Sequence, residues 1–136
     1  MNILETTRQI IQKHKLEEKL TFNPFRLDRS GETSDLYKKK EWFEKSGNLE
    51  RELFEKWGAR IPQFWCGFDL VGCPENWFVA IDEFLTELEK DSPEFEIHTI
   101  KIKWGGARIY LGNESADAQK CVDLLEGSMQ DFNLIY

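Results

Sequence analysis

The chain holds only two histidines, His14 and His98, and three widely spaced cysteines, Cys66, Cys73 and Cys121. It has no Cys-x-x-Cys pair and no His-x-x-x-His spacing, so the ligand sets of structural and hydrolytic zinc sites are missing. No metal or other cofactor is expected. An odd cysteine count without a basic-then-apolar leader argues for reduced thiols and a cytoplasmic protein. No apolar run approaches the roughly 20 residues that a membrane-spanning helix needs. The phosphate-cradling P-loop, the dinucleotide fingerprint and the nucleophile elbow are all absent. A cysteine nucleophile would need a thiolate, a base and an orienting group in one place. His98 with Cys66 or Cys73 offers the raw material, but small buried thiols and a strand histidine are the simpler reading. No catalytic residue is assigned, and an enzyme ranks third among the functional readings.

What is present describes a folded chain. It has 136 residues, 40% of them hydrophobic and 13% aromatic. That length supports one domain, 1–136, with a core that needs no staples. The formal charge of −7 is unevenly spread: residues 1–60 carry a net +2 and residues 61–136 a net −9. An acidic chain is a poor general ligand for nucleic acid, whose affinity comes from phosphate neutralisation, and direct nucleic-acid binding is not expected. A protein partner with a basic surface suits it better. Lys38-Lys39-Lys40 reads as a solvated helix face, diluted by Glu41 and Glu44.

The most legible stretch is Phe95–Leu111, FEIHTIKIKWGGARIYL. A Gly105-Gly106 loop suits a two-residue turn with positive φ at both positions. Trp104 then faces Ala107, Lys103 faces Arg108, Ile102 faces Ile109 and Lys101 faces Tyr110. Side chains alternate along a strand. One face becomes Ile100, Ile102, Trp104, Ala107, Ile109 and Leu111. The other becomes Thr99, Lys101, Lys103, Arg108 and Tyr110. Phe95 and Ile97 have the opposite parity, so the strand either bulges near His98 or starts buried on both sides.

Around the hairpin the periodicity predicts helices. Residues 3–19 carry Ile3, Thr7, Ile10, Ile11 and His14 on one face, with Asn2 and Glu5 as a capping pair. Residues 20–33 read as a packed loop containing Phe22, Phe25 and Leu27. Ser34 caps a helix to about Lys45 with Leu36 and Phe43 inward, Gly47-Asn48 interrupts it, and Leu49–Trp57 follows, ended by Gly58. Residues 59–74 are aromatic but broken by Pro62, Gly67, Gly72 and Pro74. They are expected to hold one short strand around Phe64–Cys66 or Phe68–Val71, and so aromatic a loop either wraps the core, the preferred reading, or forms an interaction surface. A helix from Pro74 to about Glu89 buries Trp77, Ile81, Phe84, Leu85 and Leu88. Its other face carries Asp82, Glu83, Glu87 and Glu89. Ser115 caps a last helix to about Gln130, with Ala118, Cys121, Val122 and Leu125 inward, and the tail from Phe132 docks. The fold class is α+β: a two-layer arrangement in which helices pack an antiparallel hairpin, extended by a third strand from 61–72, with a helical half over 1–60.

Trp77, Ile81 and Leu85, then Ile100-Lys101-Ile102-Lys103-Trp104-Gly105-Gly106-Ala107-Arg108-Ile109-Tyr110, carry a resemblance. Over about residues 67–126 the chain is similar to a small bacterial and phage-encoded domain without an established activity, whose hairpin reads I-K-x-K-F-G-G-L-R-F-Y. Here Trp104 stands for Phe, Ala107 for Leu, and Ile102 for the usual acidic residue. The resemblance implies a shared fold and a mobile-element setting, where small acidic proteins are often inhibitors or immunity factors. The first functional reading is therefore a non-enzymatic inhibitor that meets a protein partner through an acidic surface including Glu83 and Glu87. The alternative is a module binding a small anionic ligand or nucleotide with Lys101, Lys103, Arg108 and Tyr110. Pairing of those cations with carboxylates of the Glu83/Glu87 helix or of the N-terminal half would make them structural instead.

Overall fold

The computed structural model describes residues 2–20 and 33–134, with the side chains of 33–39 and 133 outside the description. Among the described residues it holds four α-helices and a three-stranded mixed sheet: α1 (Ile3–Lys13), α2 (Thr33–Trp57), β1 (Gly67–Asp69), α3 (Glu75–Asp91), β2 (Glu96–Lys103), β3 (Gly106–Gly112) and α4 (Ala116–Ser128). The α+β class and the helical N-terminal half are as expected. The sheet order is β1-β2-β3. The third strand runs parallel to β2, with Phe68 beside Ile100 and Asp69 beside Lys101. The chain crosses from β1 to β2 through α3, as a parallel pair requires.

The hairpin forms, with its turn one residue earlier than expected. Lys103 pairs with Gly106, Ile102 with Ala107, Lys101 with Arg108, Ile100 with Ile109 and Thr99 with Tyr110. The positive-φ positions are Trp104 (55°) and Gly105 (74°). Gly106 is drawn into the strand because the chain beyond α4 lies against it. Ala107 N–H donates to the Met129 carbonyl and Asp131 N–H to the Gly105 carbonyl. Moving a turn by one residue re-pairs every position but leaves each side chain on its own face. Ile100, Ala107 and Ile109 are buried, and Ile102 and Leu111 are partly so. Trp104 is the exception. In the turn it is 77% exposed and does not join the core face. The parity break is a bulge: pairing shifts between Ile97 and Thr99, which returns buried Ile97 and Phe95 to the core side.

The helical faces of α3 and α4 are buried as their periodicity predicts, and they share one core with the inner face of the sheet. Asn2 and Ser115 cap their helices through Glu5 N–H and Ala118 N–H. α1 ends at Lys13, six residues early, where Lys15 takes a positive φ. The interruption at Gly47-Asn48 does not occur, and α2 runs through. A helical glycine costs only about 1 kcal/mol, and α2 is anchored on both sides of it. Trp42 Nε1–H donates to the Gly72 carbonyl, Ser46 Oγ accepts from Gly72 N–H, and Trp57 Nε1–H donates to Asp82. The loop over 20–33 lies almost wholly outside the described residues, as do the side chains of Ser34 and Leu36; α2 begins at Thr33, so Ser34 is within the helix and does not cap it.

Such contacts also brace the chain beyond β1 and close the β3 edge of the sheet. On the β1 side α2 grips Gly72, just beyond the strand. On the β3 side residues 129–131 pair with Gly105 and Ala107, and Glu126 accepts from Ile109 N–H at 3.0 Å. A covered edge cannot recruit another strand. The outer face of the sheet is left to meet other molecules.

Candidate functional site on the outer face of the sheet

Seen from outside, β2 presents Thr99, Lys101 and Lys103, β3 presents Arg108 and Tyr110, and β1 presents Asp69 beside Lys101. The four basic-face residues singled out in the sequence, Lys101, Lys103, Arg108 and Tyr110, are brought together on one surface. Residues 61–136 contain five Lys or Arg, and three of them are here. Lys101 and Arg108 are directly opposed, like charges across a strand pair, an arrangement that disfavours folding slightly. Among the described residues none of the three cations makes an ion pair. Lys101 Nζ lies 5.9 Å from the Tyr110 ring centroid, and Arg108 Nη1 donates only to the neighbouring Ala107 carbonyl. Tyr110 is 49% exposed.

At the β1 end the face gains aromatic surface that sequence reasoning assigned to the core. Trp65 stacks on His98 with ring centroids 4.4 Å apart and planes 6° from parallel. The bulge aims His98 outward and over Gly112, where a Cβ would lie 2.7 Å from its Nε2. Trp65 remains 51% exposed and Phe64 is 94% exposed. Trp65 N–H donates to the Pro62 carbonyl, closing a turn in which Phe64 has φ 75°. That turn position favours Gly or Asn. Trp104 repeats the pattern at the far end of the hairpin. Two turns thus hold an aromatic residue in the left-handed region and turn it to solvent, a local cost associated with functional sites. The core-wrapping expectation holds for Phe68, Leu70 and Cys73 but not for residues 64–66. Pro62 and Gly67, on either side of Phe64 and Trp65, were the available signal for a turn that projects outward.

The acidic residues behave differently. Glu83 Oε1 sits 2.9 Å from Lys13 Nζ and 3.0 Å from His14 Nε2, so it ties α3 to α1. Burial works to raise its carboxyl, but Lys13 and His14 outweigh burial and hold it below its usual range. Glu87 pairs with Lys90 at 3.2 Å. Neither reaches the hairpin cations, so the expected internal pairing from that helix is not made.

The remaining chemistry is sparse. Cys73 is fully buried, and burial pushes its thiol well up, the reverse of what a nucleophile needs. Cys121 is buried and raised for the same reason, while Cys66 is exposed. Among the described residues no three His, Cys, Asp or Glu side chains gather to hold a metal ion, and no helix is long and apolar enough to cross a membrane. Compared with known protein families, curated proteins and solved structures, the chain matches none.

Proposed function

We propose that the protein is a non-enzymatic binding module whose working surface is the outer face of the sheet, taking an anionic ligand that carries a planar ring, such as a nucleotide. The observation that carries this reading is the group Lys101, Lys103 and Arg108, unpaired among the described residues and flanked by exposed rings. Arg108 supplies a fork of donors for phosphate or carboxylate oxygens, and Tyr110 and Trp65 supply flat apolar surface. A cytoplasmic setting, where three free thiols stay reduced, suits the reading. The inhibitor reading, a mobile-element protein meeting a basic partner through Glu83 and Glu87, is the weaker one. Both carboxylates are already engaged by cations of this chain.

Titration calorimetry with adenosine and uridine monophosphate tests the proposal, with inorganic phosphate as the ringless control. The nucleotides bind more tightly than phosphate, and Arg108→Ala and Tyr110→Ala each weaken binding while the circular dichroism spectrum is unchanged. Nucleotide affinity unchanged in both variants overturns the reading. Unfolding of either variant assigns the face to structure.

A further inference from the structure

The sheet face is longer than a mononucleotide needs. From the His98 row to Trp104 the hairpin spans six residues, roughly 20 Å at the rise of a strand. Rings stand at both ends, Phe64 and Trp65 at one and Trp104 at the other, with Tyr110 between them. The cations lie along the middle rather than in one pocket. Lys103 is exposed and Lys101 and Arg108 are partly so, and the β3 edge is covered. This is a track with stacking positions spaced along it, open at its ends. Resting on the sheet-face reading, we propose that the ligand is single-stranded nucleic acid, laid across β2 and β3 with its bases stacked on Trp65, Tyr110 and Trp104. Its phosphates meet Lys101, Lys103 and Arg108. Such surfaces combine rings for bases with cations for the backbone, and duplexes, whose bases are already stacked, gain nothing from them.

The chain's net charge of −7 argued against nucleic acid in the sequence, but it sums both sides of the molecule. The acidic helix α3 packs on the inner side of the sheet, and its carboxylates Asp82, Glu83, Glu87 and Glu89 are each paired with a Lys or Arg. The local field over the middle of the outer face is set by Lys101, Lys103 and Arg108 against Asp69, and at the Trp65 end Glu96 lies 3.5 Å from His98. Three phosphate contacts on a single strand give a salt slope of about −2, shallow for a nucleic-acid binder, so stacking carries most of the affinity. The face accommodates roughly four nucleotides, the small end of single-strand site sizes.

Fluorescence anisotropy of end-labelled octauridylate and octathymidylate, with the full chain, tests this. Uridine monophosphate and poly-glutamate are the competitors. At least one octamer binds at micromolar concentration and loses about 15- to 20-fold in affinity between 50 and 200 mM salt. Trp65→Ala weakens binding by about five-fold or more, Arg108→Glu weakens it further, and both variants keep the wild-type circular dichroism spectrum and a cooperative melt. The relative affinity of the two octamers separates RNA from DNA. Poly-glutamate competing as well as an octamer overturns the proposal in favour of an acidic protein. Octamers binding no tighter than the monophosphate overturn it and leave the sheet-face reading standing. No binding of any nucleotide overturns both. Octamer affinity unchanged in the two variants also overturns it, because the track lies elsewhere.

Discussion

Trp65 lies flat against His98, 4.4 Å away, and His98 in turn lies over a residue that has no side chain, Gly112. The three are linked by the bulge that turns His98 outward. A methyl group at position 112 would meet His98 Nε2 at 2.7 Å and Cε1 at 2.9 Å, and Glu96 Oε1 at 3.0 Å. These are movable side-chain ends, so Gly112→Ala leaves the fold intact and displaces the imidazole from beneath Trp65. An aromatic pair is worth about 0.5–1.5 kcal/mol beyond its buried area, and the substitution costs about that. On a His98→Ala background it costs close to nothing. Urea denaturation of the four proteins in the cycle measures the coupling, and a cost independent of His98 would refute the linkage.

The hairpin turn offers a cleaner gain. Trp104 occupies a position with φ 55° while exposing 77% of its surface, so it bears backbone strain with little packing in return. Trp104→Asn creates Asn-Gly, the pair best suited to this turn. The variant is more stable by about 0.5–1 kcal/mol, seen as a higher melting temperature. A lower one would mean that the indole packs on the sheet. If the ring serves a ligand, the same variant is more stable and binds more weakly.

Trp104 also marks where sequence reasoning stops. The division of the hairpin into faces was legible because each strand alternates and a one-residue shift of the turn preserves parity. The register was not, because Gly105-Gly106 satisfied local turn chemistry equally well. What decides it is the distant segment 129–131, which holds Gly106 in the strand. The break at Gly47-Asn48 failed similarly, since Trp42, Ser46 and Trp57 anchor α2 against Gly72 and Asp82 on either side. A third strand was expected within 61–72, but the three residues of β1 and their parallel pairing with a strand some 30 positions on had no local signature. Phe64 and Trp65 were misplaced because hydrophobicity alone does not separate core rings from presented ones. The basic half of the site was readable as a pattern, and the aromatic half was not.

Two carboxylates give opposite pH signatures. Glu83 is held below its usual range by Lys13 and His14 against burial. Its pair therefore stabilises the fold at neutral pH, and that contribution is lost as pH falls below 4.5. Glu50 is pushed up by burial, partly relieved by the Leu70 and Val71 amides and reinforced by Asp69. One of its oxygens is buried without a hydrogen-bond partner among the described residues. A raised acid costs stability once ionised, so its favourable contribution holds below 4.5 and is lost as pH rises through the folded-state value. Glu83→Gln lowers the melting temperature at pH 7, and Glu50→Gln raises it, each by an effect under about 1 kcal/mol. Both differences shrink toward pH 3. Melting curves across that range check the signs, and the same sign for both variants would overturn the assignment.

Glu126 closes the β3 edge by accepting from Ile109 N–H. Glu126→Ala leaves that donor without its acceptor, at about 1 kcal/mol, and opens the strand edge at Ile109. Glu126→Gln keeps an acceptor and restores most of the loss. The alanine variant also self-associates at high concentration, as uncovered edges do. Light scattering of the two variants distinguishes edge closure from a general effect of charge.

The opposed pair Lys101 and Arg108 sets folding against binding. Reversing one charge turns cross-strand repulsion into attraction, worth about 0.2–1 kcal/mol. Arg108→Glu is the better choice, because a carboxylate at 101 would face Asp69 on β1. The variant melts at the same temperature as the wild type or a few degrees higher, and the difference narrows in high salt as the wild-type repulsion is screened. It also loses affinity for anionic ligands, since a cation of the face is replaced by a carboxylate and only Lys101 and Lys103 remain. A structural role for Arg108 predicts the reverse on both counts: lower stability and no change in binding. Thermal melts at 20 mM and 500 mM salt, run beside nucleotide titrations of the same preparations, decide between them.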